Sequence, residues 1–298
     1  FSVVAETMSC QSAICKTLSA IWIHFYETGE LTLDVTGVNT VIGEFESIQD
    51  ALSWLDLKVI SNTATVTIKL SSQGVYTNYD TIEVDHPNGN RIHIGGNGKT
   101  VTFSEGETGL QLKDGNRLGS IRNIVLDGNY LSAHWGVHLI RSSSIHIREN
   151  VEIRGFKYDG IYAANGSSVD CAPSLYVHHN GREGIQAVFG SYVYAGWNDG
   201  SNGSSVESSH NVGGGFVTHS SSGIFADRAL AQNNGGDGFI AYGVSSIEAN
   251  NTIRNGNGGY GYHAFDGGMI RGSGSSSSQA NTDGFSRGDA ATGGHFVD

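Results

Sequence analysis

The segments Gly136-VHLIRSSSI-145, Gly160-IYAANGSSV-169 and Gly184-IQAVFGSYV-193 align over ten residues without a gap. The same pattern recurs at Gly109-LQLKDGNRL-118, Gly215-FVTHSSSGI-224, Gly238-FIAYGVSSI-247 and Gly261-YHAFDGGMI-270, making seven copies. Successive glycines lie 27, 24, 24, 31, 23 and 23 residues apart. That period suits one turn of a solenoid built from three short strands and their corners. The intervals carry no helix-length 3.6-residue pattern, and the copies mix β-branched and aromatic residues with small polar ones, which excludes leucine-rich and helical repeats. The expectation is an all-β chain, a single-stranded parallel β-helix of about 23–24 residues per turn.

Alternation along a strand then sorts the columns. Inward positions are the one after the glycine (Leu110, Val137, Ile161, Ile185, Phe216, Phe239, Tyr262), the third (Leu112, Leu139, Ala163, Ala187, Thr218, Ala241, Ala264) and the ninth (Leu118, Ile145, Val169, Val193, Ile224, Ile247, Ile270). Four residues before the glycine stands Asn180, Asn211, Asn234 or Asn257 in four consecutive turns. Asparagine tolerates left-handed backbone and bonds along a stack, so this column is read as a structural corner ladder. Upstream, Ser47-IQDALSWL-55 reads as a capped helix closing one end of the solenoid, with Ser47 as N-cap and Asp50 in the first turn. Strand-like TVTIKL (65–70), TIEV (81–84) and RIHI (91–94), with the turn at His86-PNGN, are expected to form the first, irregular turns. Residues 1–40 show no repeat and are assigned to an attachment or oligomerisation segment, and residues 41–298 to the β-helix domain.

Composition agrees. The 298 residues contain 43 glycines and only 2 prolines, so the glycines are assigned to recurring turns and not to a disordered tract. A net charge of -12 argues against a nucleic-acid partner, which would select a basic stripe, and favours a neutral or weakly charged one. Cys10, Cys15 and Cys171 form no metal-ligand spacing and are read as free thiols; no metal or other cofactor is expected. No apolar run is long enough to cross a bilayer, so membrane insertion is not expected. The opening lacks the basic flank and cleavage site of a signal peptide, and a chain starting at Phe1 is read as a fragment or a processed product.

The stretch from Phe45-ESIQDALSWL through VTIKL, GVY, HPNGNRIHI and the glycine and asparagine rungs up to Gly284 resembles phage tailspike and tail-fibre proteins, over roughly 240 residues. The resemblance implies a right-handed parallel β-helix and a homotrimer. It also implies attachment to phage tail or baseplate proteins, a virion location outside the cell, binding to bacterial surface polysaccharide, and often its cleavage. Pectate-lyase-like enzymes share the fold, but their catalytic signature is not evident here. Outward positions turn apolar toward the C-terminus, at Val188, Val217, Ile240, Tyr242 and Phe265. Exposed, they would form a stripe suited to packing around a threefold axis.

The residue before the glycine is acidic at Asp159, Glu183, Asp237 and Asp283. Asp159 and Glu183 fall in adjacent turns, about 4.8 Å apart along the stack. Two carboxylates about 5–9 Å apart are the working pair of a glycosidase, one acid and one base or nucleophile. They are the catalytic candidates, against the plainer reading of an acidic turn former at a solvated corner. Tyr158, Arg182 and His138 flank them as candidates for sugar contact. The longest interval includes Trp197 and Asp199, a ring for stacking and a carboxylate for hydroxyls, or else a polar surface loop. A lyase would need a base and a cation, which directs attention to His134, His138, His146, His178 and His179 with Arg182 and Lys157; scattered surface histidines are the alternative.

Overall fold

The computed structural model describes residues 30–35, 44–56, 58, 60, 64–72, 74–196, 205–275, 284–288 and 295–297, of which 30–35, 44, 284–288 and 295–297 are described through the backbone alone. Every strand pairing among the described residues is parallel, and from Thr65–Leu70 onward each links one turn to the next, as a solenoid requires. Each repeat turn from Gly136 to Gly238 gives one strand to each of three faces. Face 1 is a nine-stranded sheet running from Ile82–Glu83 to Gly284–Gly288 and holding the strand that follows each repeat glycine. Face 2 includes Ser144–Ile147, Ser168–Cys171, Tyr192–Tyr194, Gly223–Phe225, Ser246–Glu248 and Met269–Arg271. Face 3 includes Val151–Arg154, Leu175–His178, Glu207–Ser209, Leu230–Gln232 and Ile253–Asn255. The long strands Ile92–Phe103 and Arg117–Asp127 run round the corner between faces 2 and 3.

The predicted inward columns are the core. On face 1, Val137, Ile161, Ile185, Phe216, Phe239 and Tyr262 are in register and all buried; on face 2, Ile145, Val169, Val193, Ile224, Ile247 and Ile270 do the same. Volume is exchanged between columns along the axis. Where the first column swells to stacked Phe216 and Phe239 (4.9 Å) and then Tyr262, its neighbours shrink to Ala226, Ala231, Ala241, Ala249 and Ala264. A close-packed interior tolerates such swaps when total volume is kept. Cys171 sits in this core as a buried free thiol, and burial pushes it well above the usual thiol range; Cys10 and Cys15 lie outside the described residues.

The repeat glycines do a different job from the one expected. None of those described is at positive φ. A Cβ at Gly160 or Gly184 would lie 2.9 Å from the carbonyl oxygen of the next glycine in the column, and at Gly215 or Gly238 2.7 Å from it. Close approach of stacked backbones selects glycine here, not turn conformation. The left-handed residues fall five and six places later, at Asp114–Gly115, Arg141–Ser142, Asn165–Gly166, Phe189–Gly190, Ser220–Ser221, Gly243–Val244 and Asp266–Gly267. They turn the chain from face 1 to face 2.

The asparagine ladder is as expected. Asn211 Oδ1 accepts from the backbone N–H and side-chain amide of Asn180 (3.1 and 3.0 Å), Asn234 Oδ1 does the same for Asn211, and Asn257 Oδ1 for Asn234. The second amide hydrogens reach backbone carbonyls of Val177, Ser208 and Ala231. The left-handed residue is the one before each asparagine, namely His179, His210, Asn233 and Gly256. A serine ladder at the opposite corner went unread in the sequence: Ser143, Ser167 and Ser191 donate backbone N–H groups to the hydroxyls of Ser167, Ser191 and Ser222, and all four are buried.

The helix Ile48–Leu55 has the expected Ser47 N-cap, with Asp50 completing a capping box, and buries Ile48, Ala51, Leu52 and Leu55 against the first turns. His86 holds it there, its Nε2 lying 3.1 Å from the Leu55 carbonyl and 3.0 Å from that of Lys58. Within the segment assigned to attachment, Glu30–Val35 forms a strand paired with Thr65–Leu70; residues 1–29 and 36–40 lie outside the described residues.

One surface expectation fails. Val188 and Val217 point outward by register yet are buried in the single chain, and Ile240, Tyr242 and Phe265 are only part-exposed. The apolar residues more than half exposed are instead Phe189 and Val244 at the face 1–2 corner, Tyr192 and Tyr194 on face 2, and Val75, Tyr130 and Val212 elsewhere.

Candidate functional site on face 1

The residues before the repeat glycines, Trp135, Asp159, Glu183, Gly214, Asp237 and Tyr260, form one column, because each glycine amide donates to the carbonyl of the next member. Within it the carboxylates are tied down. Asp159 Oδ1 accepts the Glu183 N–H (3.1 Å), Glu183 Oε2 accepts the Gly214 N–H, and Asp237 Oδ1 accepts the Tyr260 N–H. A Cβ at Gly213 or Gly259 would run into the Glu183 or Asp237 carboxylate, so these glycines make room for the acids. The column is thus a ladder of backbone clamps, which the plainer reading of acidic turn formers at a solvated corner did not foresee; Asp159 is 0% exposed, while Glu183 and Asp237 are part-exposed.

Asp159 differs from the other two. Its Oδ2 is buried and has no hydrogen-bond partner among the described residues. The Trp135 indole N–H lies beside this carboxyl and helps to hold its pKa down without meeting hydrogen-bond geometry. Arg182 Nε stands 4.0 Å from Oδ1, with its side chain half exposed. Burial pushes the Asp159 carboxyl above the usual range, against the pull of Arg182 and the Glu183 amide. Burial also raises Glu183, with the Asp159 charge adding to it and the Gly214 amide and Arg182 opposing. Two raised acids in adjacent turns are what a site handling protons would need, and equally what a buried clamp produces.

Rings gather around Asp159. Trp135 stacks on His138 (4.6 Å, 17°) and packs at 4.7 Å on Tyr158, while Tyr162 lies 5.5 Å from His138 and His134 5.2 Å from Tyr158. Burial drives the His138 pKa down to about 4, so its ring is neutral at pH 7. Gln111 Nε2 contacts its Nδ1 at 3.2 Å. Further along the face, His219, Tyr242 and Phe265 stack at 4.8 and 4.9 Å. The Tyr242 hydroxyl is close enough to Glu183 and Arg182 to feel both charges. Gln186, next in register to Tyr162, is buried with an unpartnered Oε1.

Asp159, Glu183, Tyr158, Arg182 and His138, all singled out in the sequence, therefore come together on the outer side of face 1. Trp197 and Asp199 lie outside the described residues, as does Asp283. The histidine group does not assemble. His134 and His138 belong to face 1, His146 bonds Asp170 on face 2 (2.8 Å), and His178 and His179 close face 3. Eight residues along a turn carry a side chain to the next face, which scatters neighbours in sequence. The sequence reading missed Trp135, Tyr162 and Gln186; their signal was the same column logic applied to outward positions. Among the described residues no group of three or more His, Cys, Asp and Glu is placed to hold a metal ion, and no helix is long and apolar enough to cross a membrane.

No protein-family model, curated protein or solved structure matches this chain.

Proposed function

We propose that this β-solenoid is a receptor-binding protein of the phage tailspike or tail-fibre kind that recognises bacterial surface polysaccharide along the outer side of face 1. A parallel solenoid is compatible with polysaccharide binding or depolymerisation. The observation that carries the reading is the cluster of Trp135, His138, Tyr158 and Tyr162 beside a carboxyl with one unpartnered oxygen and a half-exposed guanidinium. Aromatic faces stack on the apolar faces of sugar rings, and the polar groups among them fix hydroxyl positions. The proposed setting is the virion tail, outside the cell, as a homotrimer joined to tail or baseplate proteins. In it the exposed Phe189, Tyr192, Tyr194 and Val244 would be covered by neighbouring chains. A trimeric mass in light scattering at micromolar concentration is the expected result, and a monomeric mass counts against it.

A second reading adds cleavage and rests on the raised acids Asp159 and Glu183 in adjacent turns. A glycosidase needs one carboxyl that holds its proton near neutrality and a second close by. Incubation with a panel of capsule and O-antigen polysaccharides, following binding, reducing ends and absorbance near 235 nm, separates the readings. Binding that is lost in Trp135→Ala and Tyr162→Ala supports recognition on face 1; binding untouched by both places the contact elsewhere. New reducing ends abolished by Asp159→Asn or Glu183→Gln establish hydrolysis at that pair. A rise in absorbance indicates elimination, and binding with neither signal makes the protein an adhesin.

A further inference from the structure

His178, His179 and His210 meet away from the ring cluster, where face 3 turns toward face 1. The Nδ1 atoms of His178 and His179 are 2.6 Å apart, and His178 Nε2 lies 3.1 Å from Glu152 Oε1. Two imidazole nitrogens at that distance share one proton, one donating and the other accepting. The His179 ring lies parallel to that of His210, 5.1 Å between centroids and 2° between planes.

Charged groups of both signs stand around the cluster. From strand Val151–Arg154, Glu152 and Arg154 face the cluster, and Arg154 binds both Glu152 (2.6 Å) and Asp127 (3.0 Å), so Glu152 already serves a cation. Glu207 begins the neighbouring strand beside Tyr176, while the charges of Lys157 and Arg182 lie against the Tyr158 ring and the Asp159 carboxyl. The following turn offers uncharged Gln232 and Asn233.

We propose that His178, His179 and His210 form a proton-operated latch on the corner that carries Arg182 and Glu183, closed at neutral pH and loosened by acid. Both His179 and His210 occupy left-handed backbone, at φ 55 and 54, just before ladder residues Asn180 and Asn211. The segments after them are zipped together: Asn180 bonds Asn211, Val212 N–H donates to the Asn180 carbonyl (2.9 Å), Gly213 N–H to that of Arg182 (2.8 Å), and Gly214 N–H to the Glu183 carboxylate. With one added proton an Nδ1 lone pair is still left to accept; once both rings are protonated none is left, the N–H···N bond is lost and imidazolium faces imidazolium. Burial, His178, His210 and Arg154 all lower the His179 pKa, so the closed corner binds fewer protons than the open one and is weakened as pH falls below about 6.5. The latch does not depend on what the protein binds, but it would couple acidity to the face 1 site by moving Arg182 and Glu183.

Hydrogen exchange on the intact chain tests it. Between about pH 7.5 and pH 5, after correction for intrinsic exchange, protection of amides 179–183 and 210–214 is expected to fall roughly fivefold or more relative to the histidine-free strands at 161–171, the scale of repulsion between two part-screened charges. His179→Asn and His210→Asn keep a residue suited to left-handed backbone and cannot titrate, so each should flatten the profile. Unchanged protection at pH 5, an equal loss at 161–171, or variants that lose as much as the wild type would each overturn the latch.

Discussion

Asp159 binds the Glu183 amide with one oxygen and leaves the other buried without a partner, an arrangement that an asparagine would serve with less desolvation. Asp159→Asn keeps the Oδ1 acceptor and removes the buried charge, so it should stabilise the protein at pH 7, read as a higher urea midpoint. The sign follows from the shift: the folded pKa is raised, so the acid costs stability above that pKa and the cost disappears as pH falls toward 3.8. A gain of stability together with lost cleavage would show that Asp159 is retained for chemistry; a loss would show the clamp needs the charge. His138 acts in the opposite direction. Its folded pKa is lowered from 6.5 to about 4, so its contribution is full above 6.5 and lost as pH falls toward 4. That slope is worth about 2–3 kcal/mol across the window. His138→Gln should remove it from the stability profile measured between pH 7 and 4.

At the scale of strands and corners, the stability of each turn rests on ladders that bridge to the next. Asn211 illustrates this, since it accepts two bonds from Asn180 and donates to Asn234 and the Val177 carbonyl. Asn211→Ala strands a buried amide and a buried carbonyl together, a loss of about 3 kcal/mol, to be measured by urea unfolding. Ser191→Ala removes only the hydroxyl that takes the Ser167 amide and should cost about 1–2 kcal/mol in the same assay. These elements also show what the sequence could reveal. The inward columns were legible because stacked positions share one chemistry at a fixed offset. The asparagine ladder was legible because four copies keep one residue type. The left-handed corner was not, because Asp-Gly, Arg-Ser, Asn-Gly, Phe-Gly and Gly-Val all adopt it and leave no common signature. The glycine column was visible but its cause was misjudged, since close approach of two backbones cannot be told from a turn without the next rung in place. The site was half legible: the acids stood out, while the rings around them depend on which face each outward residue joins.

Along the whole molecule the core changes character, and this sets where it should open first. The turns from Val137 to Cys171 point Ile, Leu and Val into the interior from all three faces, and they lie toward the end covered by the Ile48–Leu55 helix. Beyond Glu207 the face 3 column reads Ser208, Ala231 and Arg254, and buried Thr218, Thr252 and Asn255 join it. Arg254 lies 4.0 Å over the Tyr262 ring and is 9% exposed, a charge held inside a solenoid. More polar groups are buried per turn there, and each costs free energy unless it is well paired, while the backbone entropy of ordering a turn is unchanged. In a solenoid each turn contacts only its neighbours, so stability is a sum of local terms and a weak end frays before the middle. Hydrogen exchange near neutral pH should therefore show protection falling from the strands at 137–171 to those at 239–271, with the C-terminal turns opening by a route separate from global unfolding. Equal protection along the axis in the isolated chain would mean that the polar interior of the last turns is as stabilising as the aliphatic one. Arg254→Leu separates the causes: if the buried charge weakens that end, the substitution should raise protection at 239–271 and leave 137–171 unchanged.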